Sequence, residues 1–250
     1  ENTFHKKFPG AKKHINNYFV TRFKKDILRG NSYYGVMSSN MNNSFSNSNN
    51  ISLDGTFFLI NNQLEISSQL VQSNNNGVIG TGFYGFISYH DPKYFNILIE
   101  SDYYDKNFTL ANTGFLPRNN LIKNLVKLIL RKQTPGDIIR YTSFGIEYNQ
   151  EKSLNNLLLA NEIQFEYNLQ FTNYWRLISY YYHNTEHYDD LLTYDYDDGK
   201  IGPIAKIPKS NGYSFNLSSD DSKSFSGNIS YGSGSSEFGD RKNIFLCDLV

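Results

Sequence analysis

Residues 157–171 constrain the fold more than any other stretch of this chain. The odd positions read Leu157, Leu159, Asn161, Ile163, Phe165, Tyr167, Leu169 and Phe171, all but one of them apolar or aromatic. The even positions from Glu162 onward read Glu162, Gln164, Glu166, Asn168 and Gln170, all polar. A period of two places these sets on opposite faces of a strand. Residues 174–182 then read as a second strand crowded with aromatics, and the short Thr172-Asn173 link makes the pair an antiparallel hairpin. An apolar face of this length needs a cover, either a second sheet or lipid.

Composition narrows the choice. Aromatics reach 16%, with 20 Tyr and 19 Phe, while charged residues make up 19%, below the roughly 25% of ordinary soluble domains. That balance, with abundant Asn, describes a β-rich chain with polar turns. The formal net charge is zero, so nothing points to nucleic acid as a partner. The single cysteine, Cys247, excludes an internal disulfide framework. No run of about 18 apolar residues exists to form a transmembrane helix. The chain opens without Met and without the basic and apolar regions of a signal peptide, so it is expected to be a fragment or a processed product.

The same alternation recurs along the chain. Strands are expected over 17–27, 33–40, 51–60, 64–72, 78–90, 94–105, 121–132, 138–149, 157–171, 174–182, 213–219 and 225–232, with an apolar end at 243–250. Most are near the ~9–11 residues that cross a bilayer at a tilt. Connections at 28–31, 61–62, 91–93, 133–137, 172–173 and 220–223 are short. Those at 41–50, 73–77, 105–119, 151–155 and 183–210 are mostly longer. Short and long connections in alternation are the pattern of an all-β, antiparallel up-and-down transmembrane β-barrel, here partial, with about twelve strands. A soluble β-sandwich also alternates, but its strands usually run five or six residues. The expected division is a lead-in at 1–14, the barrel at 15–234, and a tail or the start of a further strand at 235–250. Tyr103, Tyr104, Trp175, Tyr180, Tyr181 and Tyr182 are candidates for interfacial girdles.

One segment has a rival reading. Leu121, Ile122, Leu125, Leu128 and Ile129 fall at helical spacing. As a strand, the same segment turns Ile122, Val126, Leu128 and Leu130 one way and Lys123, Lys127 and Arg131 the other. The neighbouring strands and the Pro135-Gly136 turn favour the strand.

Two stretches carry a family resemblance. Residues 16–26 (NNYFVTRFKKD), followed by Gly30-Asn31-Ser32 and Gly35, are similar to an opening in one group of bacterial barrels, where an "NYFVxRxxxD" strand leads through a "GNS" turn to a strand carrying a Gly. Phe108 with Gly114-Phe115-Leu116-Pro117-Arg118 resembles the same family's "F…GFxxR" connection. The family is the uncharacterised outer-membrane β-barrel domain usually found C-terminal to a carbohydrate-binding domain of the family-nine type. The resemblance covers roughly residues 10–118. It implies a barrel in the bacterial outer membrane, with the lipid bilayer as partner and glycans as further partners through an N-terminal module missing here. Its motif positions are Tyr18, Arg22, Asp26, Gly35, Phe108, Gly114, Phe115 and Arg118, expected to be structural, with Arg118 pairing Asp102 or Asp105. Val250 is not the aromatic that ends a complete barrel, so strands are expected to be lacking at one or both ends. No catalytic residue of the family is matched.

Several motifs suggest chemistry. Gly80-Thr81-Gly82-Phe83-Tyr84-Gly85 satisfies G-x-G-x-x-G, but a dinucleotide site needs a helix after it. Here a strand and Asp91-Pro92 follow, so the glycines read as a bulge or close approach and no cofactor is expected. His183, Glu186 and His187 satisfy H-x-x-E-H, which holds zinc only on a helix. Asp189, Asp190, Asp195, Asp197 and Asp198 would suit Ca²⁺ only with an EF-hand's Gly and closing Glu. Both segments read as an acidic outer loop without metal. The charges on the inward-facing set are Arg22, Lys24, Glu100, Asp102, Lys123, Lys127, Arg131, Glu147, Glu162 and Glu166. They either line an aqueous lumen or pair across strands and fill it. The expected function is therefore passage, docking or display of something, and the resemblance implies that it is glycan-related. A metal-dependent hydrolase using His183, Glu186 and His187 and a soluble β-rich binding module are the alternatives.

Overall fold

The computed structural model describes residues 17–42, 46–110, 116–193 and 202–249. It is all-β. The strands are β1 (Asn17–Ile27), β2 (Ser32–Asn42), β3 (Asn47–Leu59), β4 (Leu64–Asn75), β5 (Val78–His90), β6 (Phe95–Tyr104), β7 (Leu121–Lys132), β8 (Ile139–Lys152), β9 (Leu158–Phe171), β10 (Arg176–Asn184), β11 (His187–Asp189), β12 (Ala205–Ile207), β13 (Ser210–Ser218), β14 (Gly227–Ser236) and β15 (Arg241–Leu249). Thirteen of them form one antiparallel sheet in the order β1–β10, β13, β14, β15, every neighbour adjacent in sequence apart from the inserted β11–β12 hairpin. This is an up-and-down meander. Among the described residues, β1 and β15 each have one neighbour. Among the described residues no helix is long and apolar enough to cross a membrane.

The segment with a helical rival, 121–132, is strand β7. Its ladder partners on both sides, β6 and β8, decide this, since a helix would leave both edges unpaired. The expected polar connection at 41–50 is strand at both ends, with β2 running to Asn42 and β3 beginning at Asn47. The expected loop at 73–77 shrinks to Asn76-Gly77, both at positive φ (52° and 88°), as a two-residue type I′ hairpin requires. The tail is β15, paired along its length with β14. The sheet of the described residues therefore has thirteen strands, close to the expected number of about twelve. The long connections are also fewer than expected: on their rim only 105–120 and 185–209 are long, and the others run two to five residues.

Register sorts the side chains into two faces. One carries continuous apolar rows: Phe57, Ile66, Ile87, Ile99, Val126, Tyr148 and Ile163 are successive partners across β3–β9. A second row runs Phe95, Leu130, Phe144, Tyr167, then Ser179, Phe215, Tyr231 and Phe245. The rings touch along this face, as in Phe144–Phe165–Tyr181, with centroids 6.1 Å apart at each step. These side chains are uncovered: Ile87, Ile99 and Val126 are about half exposed. The opposite face is polar and holds most of the buried residues of β2–β6, among them Ser39, Asn50, Ser52, Ser73 and Asp102. Tyr104, Tyr180 and Tyr182 lie on this polar face, with Leu121, Glu166 and Gln164 as partners, which corrects their assignment to a lipid-side girdle. Tyr103 and Tyr181 are on the apolar face.

Candidate functional site

All ten charged candidates fall on the polar face. Lys24, Gly35, Asp54, Gln69, Tyr84, Asp102, Lys123 and Glu151 form one row, each the ladder partner of the next. Opposite charges meet across strands. Arg22 donates to Asp54 at 2.5 Å, Lys127 to Glu147 at 2.8 Å, and Lys123 lies 3.8 Å from Glu100. Lys24 sits 4.1 Å over the Tyr33 ring and 3.4 Å from Asp26. Arg131 donates to the carbonyl of Asp91 at 2.9 Å and to the side chain of Asn96. Glu162 faces Asn149 and Asn184, and Glu166 faces Gly145 and Tyr180.

The residues of the first family motif explain one another. Arg22 and Asp54 belong to strands separated by β2, so the pair must pass over that strand. Gly35 stands in the way, and a Cβ there would lie 3.3 Å from Asp54 Oδ1 and 3.0 Å from the Phe23 carbonyl. The missing side chain lets the carboxylate lean across. Tyr18 pairs with Met41 at the far end of β1.

The second motif organises the connection 105–120. Asp105 nucleates it: its carboxylate accepts from the backbone N–H of Thr81 at 2.6 Å and of Asn107 at 2.7 Å. The chain then folds down onto the polar face. Phe108 is 2% exposed and stacks on Tyr104 with centroids 5.4 Å apart and planes 7° from parallel. Beneath it are Gly80 and Gly82. A Cβ at Gly80 would overlap the backbone of Phe108, and one at Gly82 would lie 2.6 Å from its ring. The G-x-G of β5 thus seats an aromatic residue. Gly114 and Phe115 lie outside the described residues.

Arg118 does not bond Asp102 or Asp105. It pairs with Asp190, both partly buried, and so ties the 105–120 connection to the 185–209 connection. Asp105 is occupied by backbone donors, and Asp102 lies lower on the sheet, facing Tyr84 and Lys123.

Under this connection is a cavity of about 510 Å³. Ser52, Gln69, Tyr84, Asp102, Lys123 and Glu151 give it a polar floor, and Tyr104, Phe108, Leu116 and Pro117 an apolar side. Asp102 is 8% exposed and Ser52 3% exposed, and neither Asp102 Oδ1 nor Ser52 Oγ has a hydrogen-bond partner among the described residues. The sequence pointed to Asp102 and Lys123 but missed Ser52, Gln69, Tyr84 and Glu151. For Ser52, Gln69 and Tyr84 the signal was the polar side of alternation in β3–β5, diluted there by surrounding Ser, Asn and Gly, while Glu151 fell in an expected connection and is the end of β8.

The H-x-x-E-H residues do not converge. His183 is on the apolar face of β10 as partner of Ile163. Glu186 pairs with Lys206 at 2.8 Å, an attraction that holds the exposed Lys206 ammonium above its ordinary value. His187 Nδ1 is 2.9 Å from the Thr185 carbonyl oxygen. Among the described residues no group of three or more His, Cys, Asp or Glu is placed to hold a metal. Asp195, Asp197, Asp198 and Gly199 lie outside the described residues. Asp189 accepts from the backbone N–H of Leu191 at 2.8 Å and of Leu192 at 2.9 Å, shaping a turn.

No family model matches the chain, and no curated protein matches it. Among solved structures it is similar to one described as a bacterial polysaccharide outer membrane secretin. The TM-score is 0.51 at 9% identity, covering 94% of this chain and 77% of that one. At this identity the likeness concerns the fold, an up-and-down barrel wall.

Proposed function

We propose that this chain forms the wall of an outer-membrane β-barrel in a Gram-negative-type envelope, with its charged face turned to an aqueous lumen. The uncovered apolar face carries the reading. Soluble monomers rarely leave contiguous apolar patches beyond a few hundred Å², whereas here apolar residues run unbroken across at least seven strands. Strands of 9–14 residues suit a tilted crossing of the hydrocarbon core. The interior strands of the meander are paired on both sides, as lipid demands, and closure at β1 and β15 would satisfy the two remaining edges.

The role is passage, docking or display of glycan-related solutes. Its supports are the resemblance to a barrel domain that follows a family-nine-type carbohydrate-binding domain and the likeness to a protein described as a polysaccharide outer membrane secretin. The lumen lining agrees in kind. Its charges are largely paired, so it favours neutral polar solutes over either sign of ion. Refolding into detergent micelles and vesicles tests the barrel. The expected result is heat-modifiable mobility on a denaturing gel, co-flotation with vesicles and, if a channel opens, little preference between cations and anions. A monodisperse monomer in buffer without detergent would sink the reading.

A further inference from the structure

We infer that the cavity beneath the 105–120 connection is a binding subsite for a short neutral saccharide. This deepens the reading above and rests on it, since the cavity faces the lumen only if the sheet is a barrel wall.

Three observations converge. The volume, about 510 Å³, lies within the ~300–1,000 Å³ of small-molecule sites. Its lining is two-sided. The polar floor offers carboxylate, amide and hydroxyl groups that accept from or donate to sugar hydroxyls, while Tyr104, Leu116 and Pro117 offer an apolar side against which the C–H face of a pyranose packs. Finally, the floor is left unsatisfied. Burying a carboxylate oxygen or hydroxyl without a partner is costly, yet Asp102 Oδ1 and Ser52 Oγ have none among the described residues. Both belong to residues that line the cavity. The nearby cation, Lys123, is drawn toward Glu100. A ligand bearing several hydroxyls satisfies the open acceptors without bringing in charge.

The glycines beneath Phe108 make the site specific to this arrangement. Gly80 and Gly82 let the aromatic residue drop to the sheet, which sets the height of the roof. Arg118, held by Asp190, fixes the other side of the same connection.

The test is calorimetric titration of the full chain, refolded in a detergent without sugar, with maltose, cellobiose and N,N′-diacetylchitobiose. Saturable binding of at least one is expected. It should weaken tenfold or more in Asp102→Asn, which keeps the shape of the side chain, and in Gly82→Ala, which displaces the Phe108 ring. Asp221→Asn, in a turn of the opposite rim, should bind as wild type. Heat-modifiable mobility verifies each variant's fold. A folded barrel that binds none of the three sugars overturns the inference and leaves the barrel standing. So does binding that survives both cavity substitutions. Loss of heat-modifiable mobility in the wild type sinks the barrel and the subsite together.

Discussion

The turns at 91–94, 172–175 and 219–226 are each capped by a side chain of their own, whereas the connection 105–120, on the other rim, is held to the sheet and to the 185–209 connection by residues far away in sequence. Asp91 Oδ1 accepts from the backbone N–H of Lys93 at 2.8 Å and of Tyr94 at 2.6 Å. Asn173 accepts from Trp175 N–H at 3.2 Å, and Asp220 from Ser222 N–H at 3.0 Å. On the opposite rim, Phe108 depends on glycines of β5, Thr109 donates its N–H to Ser73 at 3.3 Å, and Arg118 reaches Asp190 in the other long connection. A rim of local turns forms with each hairpin. A rim of long-range contacts forms only once the sheet exists, because loop closure must be met before those contacts give anything back.

That contrast can be broken at its strongest point first. Phe108→Ala removes the aromatic anchor, and a buried Phe→Ala change costs about 3–5 kcal/mol. The cost should fall on the connection rather than the sheet, so limited proteolysis within 105–120 should speed up strongly while heat-modifiable mobility survives. Unchanged proteolysis would show that the connection is held by something other than its ring. Gly80→Ala approaches the same contact from below. Overpacking costs about 1–3 kcal/mol, and amide exchange should quicken in 105–110 before it does in β4 or β5.

The ion pair sharpens the comparison. Arg118 and Asp190 retain 18% and 24% side-chain exposure, so solvent screens them and the coupling should be about 1 kcal/mol or less. A double-mutant cycle with Arg118→Ala and Asp190→Ala, read by proteolysis of both connections, measures it. A coupling of zero would leave the two connections independent. The smallest effect belongs to the local rim. The two backbone donors hold the Asp91 carboxyl below the ordinary carboxylate value. A lowered folded value gives stability that is present above the ordinary range and lost as pH falls through the folded value. The wild type should therefore melt slightly above Asp91→Ala at pH 7, and the gap should close below about pH 4. A gap that is independent of pH would remove the carboxylate from the account.

Much of the sheet could be read in advance because alternation is a local signal. Strands β1, β5 and β7 have the bounds expected from the sequence, β7 on the strength of its neighbours and the turn after it, and the ten charged candidates share one face because parity along a strand fixes parity across its ladder. Ser- and Asn-rich β2 and β3 were harder. Small polar residues serve a strand's interior face and a turn equally well, so composition alone cannot separate them. The Asn76-Gly77 hairpin could have been found, since that dipeptide is the strongest short signal for a type I′ turn.

What the sequence determined by itself is the existence of long two-faced strands, their order up and down, and which face carries the charge, because each follows from spacing within a few residues. What only the tertiary structure decided is the use made of particular residues: that Gly80 and Gly82 seat Phe108, that Gly35 gives Asp54 room to reach Arg22, and that Arg118 bonds Asp190. These pairings join residues about 19 to 72 positions apart. Nothing local selects among such distant partners until the sheet has set its register and the long connections have folded back upon it.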